Sequence, residues 1–83
     1  MEKYIGQITH YFNKAGVIVV NLKSKIAVGD MIKVERGESE FKQEIGSMQI
    51  EHESVDKAKD GDEVAIKVKE PAKEGDYVYK VED

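Results

Sequence analysis

The sequence predicts an all-β protein, a single domain over residues 1–83 that forms a small six-stranded antiparallel β-barrel closed on itself. Apolar and polar residues alternate in short blocks that are separated by turn residues. Only residues 54–61 have a helical pattern, and they are too few for more than a turn. A chain of 83 residues has room for one small core. Closure is favoured because it removes the exposed edges of an open sheet.

The first two strands are predicted at residues 4–12 and 16–22, joined as a hairpin by the turn at residues 13–16. The second strand is almost entirely β-branched, as strands favour. Strict alternation in the first strand predicts one face formed by Gly6, Ile8, His10 and Phe12.

The other four strands are predicted at residues 31–35, 41–53, 63–68 and 77–81. Within residues 41–53 the apolar positions change phase at Gly46-Ser47, from odd numbers to even numbers. One extra residue in a strand re-aims every side chain after it, and glycine tolerates the backbone angles this needs. We therefore expect a β-bulge or sharp bend at Gly46-Ser47.

Three Gly-Asp pairs precede the third, fifth and sixth predicted strands, at positions 29–30, 61–62 and 75–76. Glycine adopts positive φ without steric cost, and we expect the aspartate to accept hydrogen bonds from backbone amides one or two residues further along the chain. Each pair therefore predicts a turn. The alternative is a shared metal site, which would need several oxygen ligands to converge from distant parts of the chain.

Charge argues against indiscriminate binding to phosphate backbones, since 13 basic residues face 17 acidic ones and the net charge is −4. The distribution is uneven: residues 1–36 carry a balance of +3 and residues 37–83 a balance of −7. A solvated surface rich in lysine and glutamate explains the same numbers.

No catalytic pattern is present. The chain has no cysteine, no Gly-x-Ser-x-Gly elbow, no phosphate-binding P-loop and no Gly-x-Gly-x-x-Gly. His10 and His52 are the only histidines, and Glu51 and Glu53 flank the second, but the sequence supplies no fixed third metal ligand. We predict no enzyme activity, no catalytic residue, no cofactor and no metal.

One segment, THYFNKAG at residues 9–16, has the ingredients of a binding surface. Aromatic rings can stack on bases while a lysine contacts a phosphate. The candidate nucleic-acid-binding residues lie in this segment and in the basic stretch after the second strand: His10, Tyr11, Lys14, Lys23 and Lys25. In the alternative interpretation an aromatic ring fills the end of the barrel and Lys14 is simply solvated.

Residues 1–12 contain no apolar run of the length that a signal peptide needs, and no stretch reaches the roughly 20 apolar residues that cross a bilayer. We expect a cytoplasmic protein with no membrane partner.

The order of these blocks resembles domain 2 of translational GTPases of the elongation factor Tu type. There, a glycine-led first strand forms a hairpin, a Val-Gly-Asp turn starts the next strand, a long strand carries a Ser-Met step, and Ala-x-x-Gly-Asp-x-Val opens the following strand. The matching residues here are Gly6, Gly16, Val28–Asp30, Ser47-Met48, Ala58 and Gly61–Val64.

The chain is also similar to free-standing translation elongation factor-like proteins and to the barrel that ends collagenase-like peptidase family proteins, which are linked to tRNA and ribosomal RNA modification. These resemblances imply a six-stranded barrel of the translation-protein type, a link to translation and no catalysis by this domain. The GTPase domain is absent, so no GTP binding is carried over. None of the family's RNA-contacting residues is carried over either.

Two hypotheses follow for function. The first is an accessory module that binds tRNA or a ribosomal element through the basic hairpin. The second is a protein-interaction module that docks on a larger translation or RNA-modification protein, which the acidic second part of the chain favours.

Overall fold

A computed structural model describes residues 1–82 and consists of short antiparallel strands. The ten strands are β1 (Glu2–Phe12), β2 (Val17–Leu22), β3 (Ile26–Ala27), β4 (Met31–Arg36), β5 (Ser39–Glu44), β6 (Met48–Ile50), β7 (Glu53–Val55), β8 (Lys57–Ala58), β9 (Glu63–Lys67) and β10 (Tyr77–Val81). Over these 82 residues there is no helix with the length and apolar character needed to cross a bilayer.

Eight strands form one sheet in the order β5-β4-β10-β1-β2-β9-β6-β7, and β3 pairs with β8 separately. All the pairings are antiparallel. The sheet curves around one core of aliphatic side chains, and its fully buried members include Ile5, Ile8, Ile18, Val20, Leu22, Ile32, Ile66 and Val78. The all-β prediction is therefore confirmed.

The predicted strand count and closure need correction. The ladder order begins at β5 and ends at β7, and within residues 1–82 no ladder joins these two edge strands. The predicted strand at 41–53 is divided among β5, β6 and the start of β7. Residues 54–61, expected to form a helical turn, instead contain the rest of β7 and all of β8. The sheet is thus built from more and shorter strands than six.

The predicted strand at residues 41–53 is divided at Gly46-Ser47, where the sequence predicts a bulge or bend. The chain is not in a strand at residues 45–47; β5 before the break pairs with β4, whereas β6 after it pairs with β9 and β7. Ile45 and Met48 are both buried, which accounts for the change of phase in the apolar pattern. The expected break in the strand at Gly46-Ser47 is confirmed, since residues 45–47 separate two strands with different partners.

Gln43 bridges β5 to the end of β9. Its side chain is only 7% exposed; Nε2 donates to the Lys67 carbonyl at 2.9 Å, and Oε1 accepts from the Lys69 amide at 2.8 Å. A buried amide with both ends satisfied makes the same kind of link that a ladder would make. One side chain therefore joins two segments that no ladder connects.

Two irregularities in β1 overturn the predicted face of that strand. Its register shifts between Tyr4 and Gly6 against β10, and between Ile8 and His10 against β2. Each shift leaves one extra residue in β1, and such a bulge re-aims the side chains that follow. Ile8 consequently lies in the core, while His10 and Phe12 are directed outward.

The three Gly-Asp pairs form three copies of one turn. In each copy the aspartate amide donates to the carbonyl three residues earlier, and the aspartate Oδ2 accepts from the amide of that same residue. The partners are Ala27 for Asp30, Lys59 for Asp62 and Lys73 for Asp76, at 2.9 to 3.1 Å. The turn prediction is confirmed; the accepted amide comes before the aspartate, not after it as we expected.

Candidate docking groove

An open groove of about 740 Å³ lies on the outer face of β2 and β9. Its floor is formed by Val17, Val19 and Ala65, and its two walls by the end of β1 and by the β6–β7 turn. We call this surface the Ala65 groove. The floor residues are part-exposed, so apolar side chains there meet solvent.

The groove is hollow because Ala65 has the smallest side chain in its row. Cross-strand register places Val19 opposite Ala65 on one side and Gln49 opposite it on the other, and His10 lies opposite Val19. Longer side chains on both sides of a methyl group leave a depression over that methyl. The hollow is therefore a result of strand register, not of a flexible loop.

The first wall carries two aromatic rings. The rings of His10 and Phe12 have centroids 6.2 Å apart, and Phe12 is 53% exposed. His10 Nδ1 also lies 3.8 Å from Glu74 Oε2. The bulge between Ile8 and His10 is what turns this pair outward. A large exposed aromatic at the edge of an apolar floor is typical of a contact surface.

The second wall is a two-residue hairpin turn between Ile50 and Glu53, which are paired residues of β6 and β7. Its two central residues, Glu51 and His52, have φ values of 51° and 69°. Positive φ at both positions defines a type I′ turn, where Asn-Gly is preferred. Here two residues with full side chains occupy it, which stores strain next to the groove.

The groove is charged differently at its two ends. Along the outer side of β9, Glu63, Ala65 and Lys67 follow one another, so Ala65 separates an acidic end from a basic end. Lys14 lines a smaller hollow of about 330 Å³ that continues the groove at the basic end. Lys67 Nζ donates to the Ala15 carbonyl at 2.8 Å, which positions its ammonium beside that hollow.

The five residues predicted to bind nucleic acid do not form one surface. His10 and Lys14 border the groove or its continuation. Tyr11 packs against the core. Lys23 and Lys25 follow β2, at the far end of that strand from Lys14, which is about 20 Å for six extended residues.

Sequence reasoning did not identify the residues that shape the groove. Ala65 resembles an ordinary strand residue, and nothing in the sequence marks which neighbours it will have. The Glu51-His52 turn has only a weak signal in the sequence, because two polar residues between short apolar blocks are compatible with a turn. Nucleic-acid binding by the five predicted residues remains a prediction.

Metal binding has no support in the groove geometry. Among the described residues 1–82, no group of three or more histidine, cysteine, aspartate or glutamate side chains is arranged to hold a metal ion.

Comparison with known proteins identifies the family. Residues 2–78 match the family model described as the peptidase family U32 C-terminal domain. The chain belongs to this family. The match spans β1 to β9 and the start of β10, so it covers the whole groove.

A curated relative is a Methanocaldococcus jannaschii protein named as an uncharacterized protease, MJ0090. It is 31% identical over 80 residues, which cover 95% of this chain but 20% of that protein. The chain thus spans about a fifth of the length of its relative.

Two crystal structures of the C-terminal domain of a Geobacillus thermoleovorans protein described as a U32 peptidase share the fold. One has a TM-score of 0.88 and covers 96% of this chain and 93% of that one. The selenomethionine variant has a TM-score of 0.85 and covers 92% and 96%. Identity is 23% in both cases, so the likeness concerns the fold alone.

These matches agree with the predicted resemblance to the last domain of collagenase-like peptidase proteins. The resemblance to domain 2 of elongation factor Tu remains a prediction.

Proposed function

We propose that this U32 C-terminal domain is a non-catalytic, cytoplasmic docking module that holds a segment of a larger protein partner in the Ala65 groove. The observation that carries the proposal is the groove itself. It has a volume of about 740 Å³ and an apolar floor, with the exposed side chain of Phe12 at its edge. Exposed aromatics beside an apolar hollow are the usual anchors of protein interfaces.

The occupant we propose is an extended segment with an apolar anchor side chain, which would fill the hollow over Ala65. Charge complementarity sets its direction: acidic residues would face Lys67 and Lys14, and basic residues would face Glu63 and Glu51. A groove with carboxylates at one end fits such a segment better than it fits a polyanion.

The experiment places a photo-crosslinking phenylalanine analogue at position 12 and identifies the partner that is captured from the native cytoplasm. Binding of that purified partner is then measured with Ala65→Leu, which fills the hollow. A matched control is Ala27→Leu, the same enlargement at another part-exposed alanine that does not line the groove. We expect Ala65→Leu to weaken binding about tenfold or more, an effect of the size that interface hot spots show, and Ala27→Leu to leave it unchanged.

Equal binding by both variants would contradict the proposal. Capture of RNA in place of protein would also contradict it.

A second candidate is RNA binding at the same end of the molecule, with the link to translation that the first hypothesis carries. It is favoured by the outward rings of His10 and Phe12 together with Lys14 nearby. In this case tRNA should bind with strong salt dependence and lose affinity in Lys14→Glu. Unchanged affinity in Lys14→Glu, or binding that salt does not weaken, would exclude it.

A further inference from the structure

A second exposed aromatic surface lies on the outer face of β1, β10 and β4, away from the Ala65 groove. It contains Tyr4, Tyr77 and Tyr79, and we call it the tyrosine face. The Tyr4 ring lies 6.3 Å from that of Tyr77 and 5.8 Å from that of Tyr79. Tyr4 is 41% exposed and Tyr77 is 45% exposed. Two of the three tyrosine side chains are therefore open to solvent.

Cross-strand register assembles this face. Tyr4 lies opposite Tyr79, Tyr79 opposite Lys33, and Lys33 opposite Lys42, so one row crosses four strands. The alternate positions of β4 and β10 include Ile32, Val34 and Val78, which are buried in the core and leave the tyrosine row on the outside.

One cation already occupies this surface. Lys33 Nζ lies 5.0 Å from the centre of the Tyr79 ring, and it contacts Glu2 at 2.7 Å and Glu35 at 3.2 Å. The Lys33 side chain is 8% exposed, so its charge is paired within the protein and is not available to a partner. The arrangement combines a ring face with carboxylates on either side, which is favourable for a cation.

The rows that flank the tyrosines are acidic. One row runs Glu2, Val81, Met31, Glu44, and the other runs Gln7, Tyr77, Glu35, Glu40. Glu2 and Glu35 both pair with Lys33, and the exposed Glu40 and Glu44 lie on either side of Lys42 along β5, so four carboxylates share this face with two lysines. The open rings of Tyr4 and Tyr77 therefore lie within an excess of negative charge. Such a surface repels phosphates and attracts cations.

We propose that the tyrosine face binds an arginine-bearing segment of a protein partner. A guanidinium is planar, stacks on aromatic rings and pairs with carboxylates in a bidentate manner. Tyr4 and Tyr77 supply the exposed rings, and the exposed Glu40 supplies a carboxylate two strands from Tyr77 in the same row, beyond Glu35. The exposed side chain of Met31 extends the apolar area. This site is independent of the Ala65 groove, so the domain has room for two protein segments at once.

The test is an NMR titration of the complete chain with a short synthetic peptide that contains arginine in a glycine-serine background. A peptide of equal length with citrulline in place of arginine keeps the shape but removes the charge. We expect the arginine peptide to shift the amide signals of β1, β10 and β4, and the citrulline peptide to bind much more weakly. Affinity should fall about two- to fivefold for Tyr4→Ser and for Tyr77→Ser, as expected for loss of one exposed cation–π contact.

Phe12→Ser is the matched control, because it removes an exposed ring from the other face. Unchanged affinity in this variant supports the proposal, and thermal unfolding of each variant establishes that the fold is retained. Equal binding of the two peptides, signal shifts confined to β2 and β9, or loss of affinity in Phe12→Ser alone would overturn it.

Discussion

Asp62 and Leu22 are joined by a backbone hydrogen bond of 2.8 Å from the Leu22 amide to the Asp62 carbonyl, and the Leu22 carbonyl accepts from the Gly61 amide at 2.9 Å. The same pair of bonds joins the other two Gly-Asp turns to Ile45 and to Ile8, at 2.8 to 2.9 Å. Each turn thus holds one buried aliphatic residue of another segment by both of its backbone polar groups. The repetition in the sequence reflects three copies of one device that connects the sheet to its core.

The aspartate side chain of each turn maintains this device, and Asp76 tests it best because it is only 5% exposed. Asp76→Ala removes the acceptor of the Lys73 amide and the partner of Arg36 Nε, 3.5 Å away. We expect the free energy of unfolding to fall by about 1.5–3 kcal/mol, the range for hydrogen bonds to charged groups. Urea denaturation measures it.

Asp60→Ala is the matched control for Asp76→Ala. Asp60 is an exposed residue within the second turn and makes no hydrogen bond through its side chain among residues 1–82. A change of less than about 0.5 kcal/mol is expected there. Equal losses in the two variants would mean that the aspartate acceptor does not stabilise the turn.

Gly6 is required by close approach of two strands. A Cβ atom at this position would lie 2.6 Å from the Asn21 carbonyl oxygen and 2.7 Å from Val20 Cγ1. Backbone cannot move aside as a side chain end can, so Gly6→Ala should cost at least about 2 kcal/mol of unfolding free energy. Gly46→Ala is the control, since nothing lies within 4 Å of its Cβ position. Similar melting temperatures for the two variants would contradict this account.

The sequence was sufficient for features that depend on local chemistry. The strands predicted at 31–35 and 77–81 agree with β4 and β10 to within one residue, and the Gly-Asp turns occur where expected. Turn residues and short apolar alternation act over a few positions, so a single sequence shows them.

The features that the sequence did not predict depend on pairing between distant segments of the chain. The bulge before His10 reverses the face of a strand, yet no local pattern distinguishes it from regular alternation. The groove requires Ala65 to lie between Val19 and Gln49, and cross-strand register alone decides that. Tyr4 and Tyr79 are likewise far apart in the chain and adjacent in the sheet. Lys23 and Lys14 are both basic and close in sequence, yet a full strand separates them in the fold.

The Glu2–Lys33 pair predicts a pH dependence. The hydrogen bond from Lys33 holds the pKa of the Glu2 carboxyl below its usual value of 4.5, although burial opposes this. A carboxyl with a lowered pKa in the folded state stabilises the fold above that usual value, and the contribution is lost as the pH falls through the lowered pKa. The stability difference between the native protein and Glu2→Gln should therefore shrink from about pH 6 to about pH 3.

The same contact predicts how the stability of the fold changes at alkaline pH, because the hydrogen bond to Glu2 raises the pKa of Lys33 above its usual value of 10.5. The stabilisation is complete below that usual value and is lost as the pH rises through the raised pKa. Glu38→Gln, at an exposed turn residue, serves as the control. A difference between the native protein and Glu2→Gln that stays constant on acidification would refute the assignment.

Gln43 should be needed for the link between β5 and the end of β9. Gln43→Leu is of similar size but leaves the part-buried Lys69 amide without its acceptor, at a cost of about 1–3 kcal/mol. Hydrogen exchange at the Lys69 amide should become faster. Gln49→Leu, at an exposed position, should alter neither quantity. An unchanged exchange rate at Lys69 in Gln43→Leu would show that the side-chain bridge is dispensable.

The strained turn at Glu51-His52 predicts a variant that gains stability and loses binding. The double replacement Glu51→Asn with His52→Gly installs the Asn-Gly pair that suits the type I′ geometry, and it should raise the free energy of unfolding by about 1 kcal/mol. Glu38→Asn is the control, because Glu38 is an exposed turn residue without positive φ and no strain is relieved there. If the turn contacts the occupant of the Ala65 groove, the stabilised double variant binds the crosslinked partner more weakly, as strain retained at a functional surface implies. A double variant that is no more stable than the native protein would show that these two residues carry no strain.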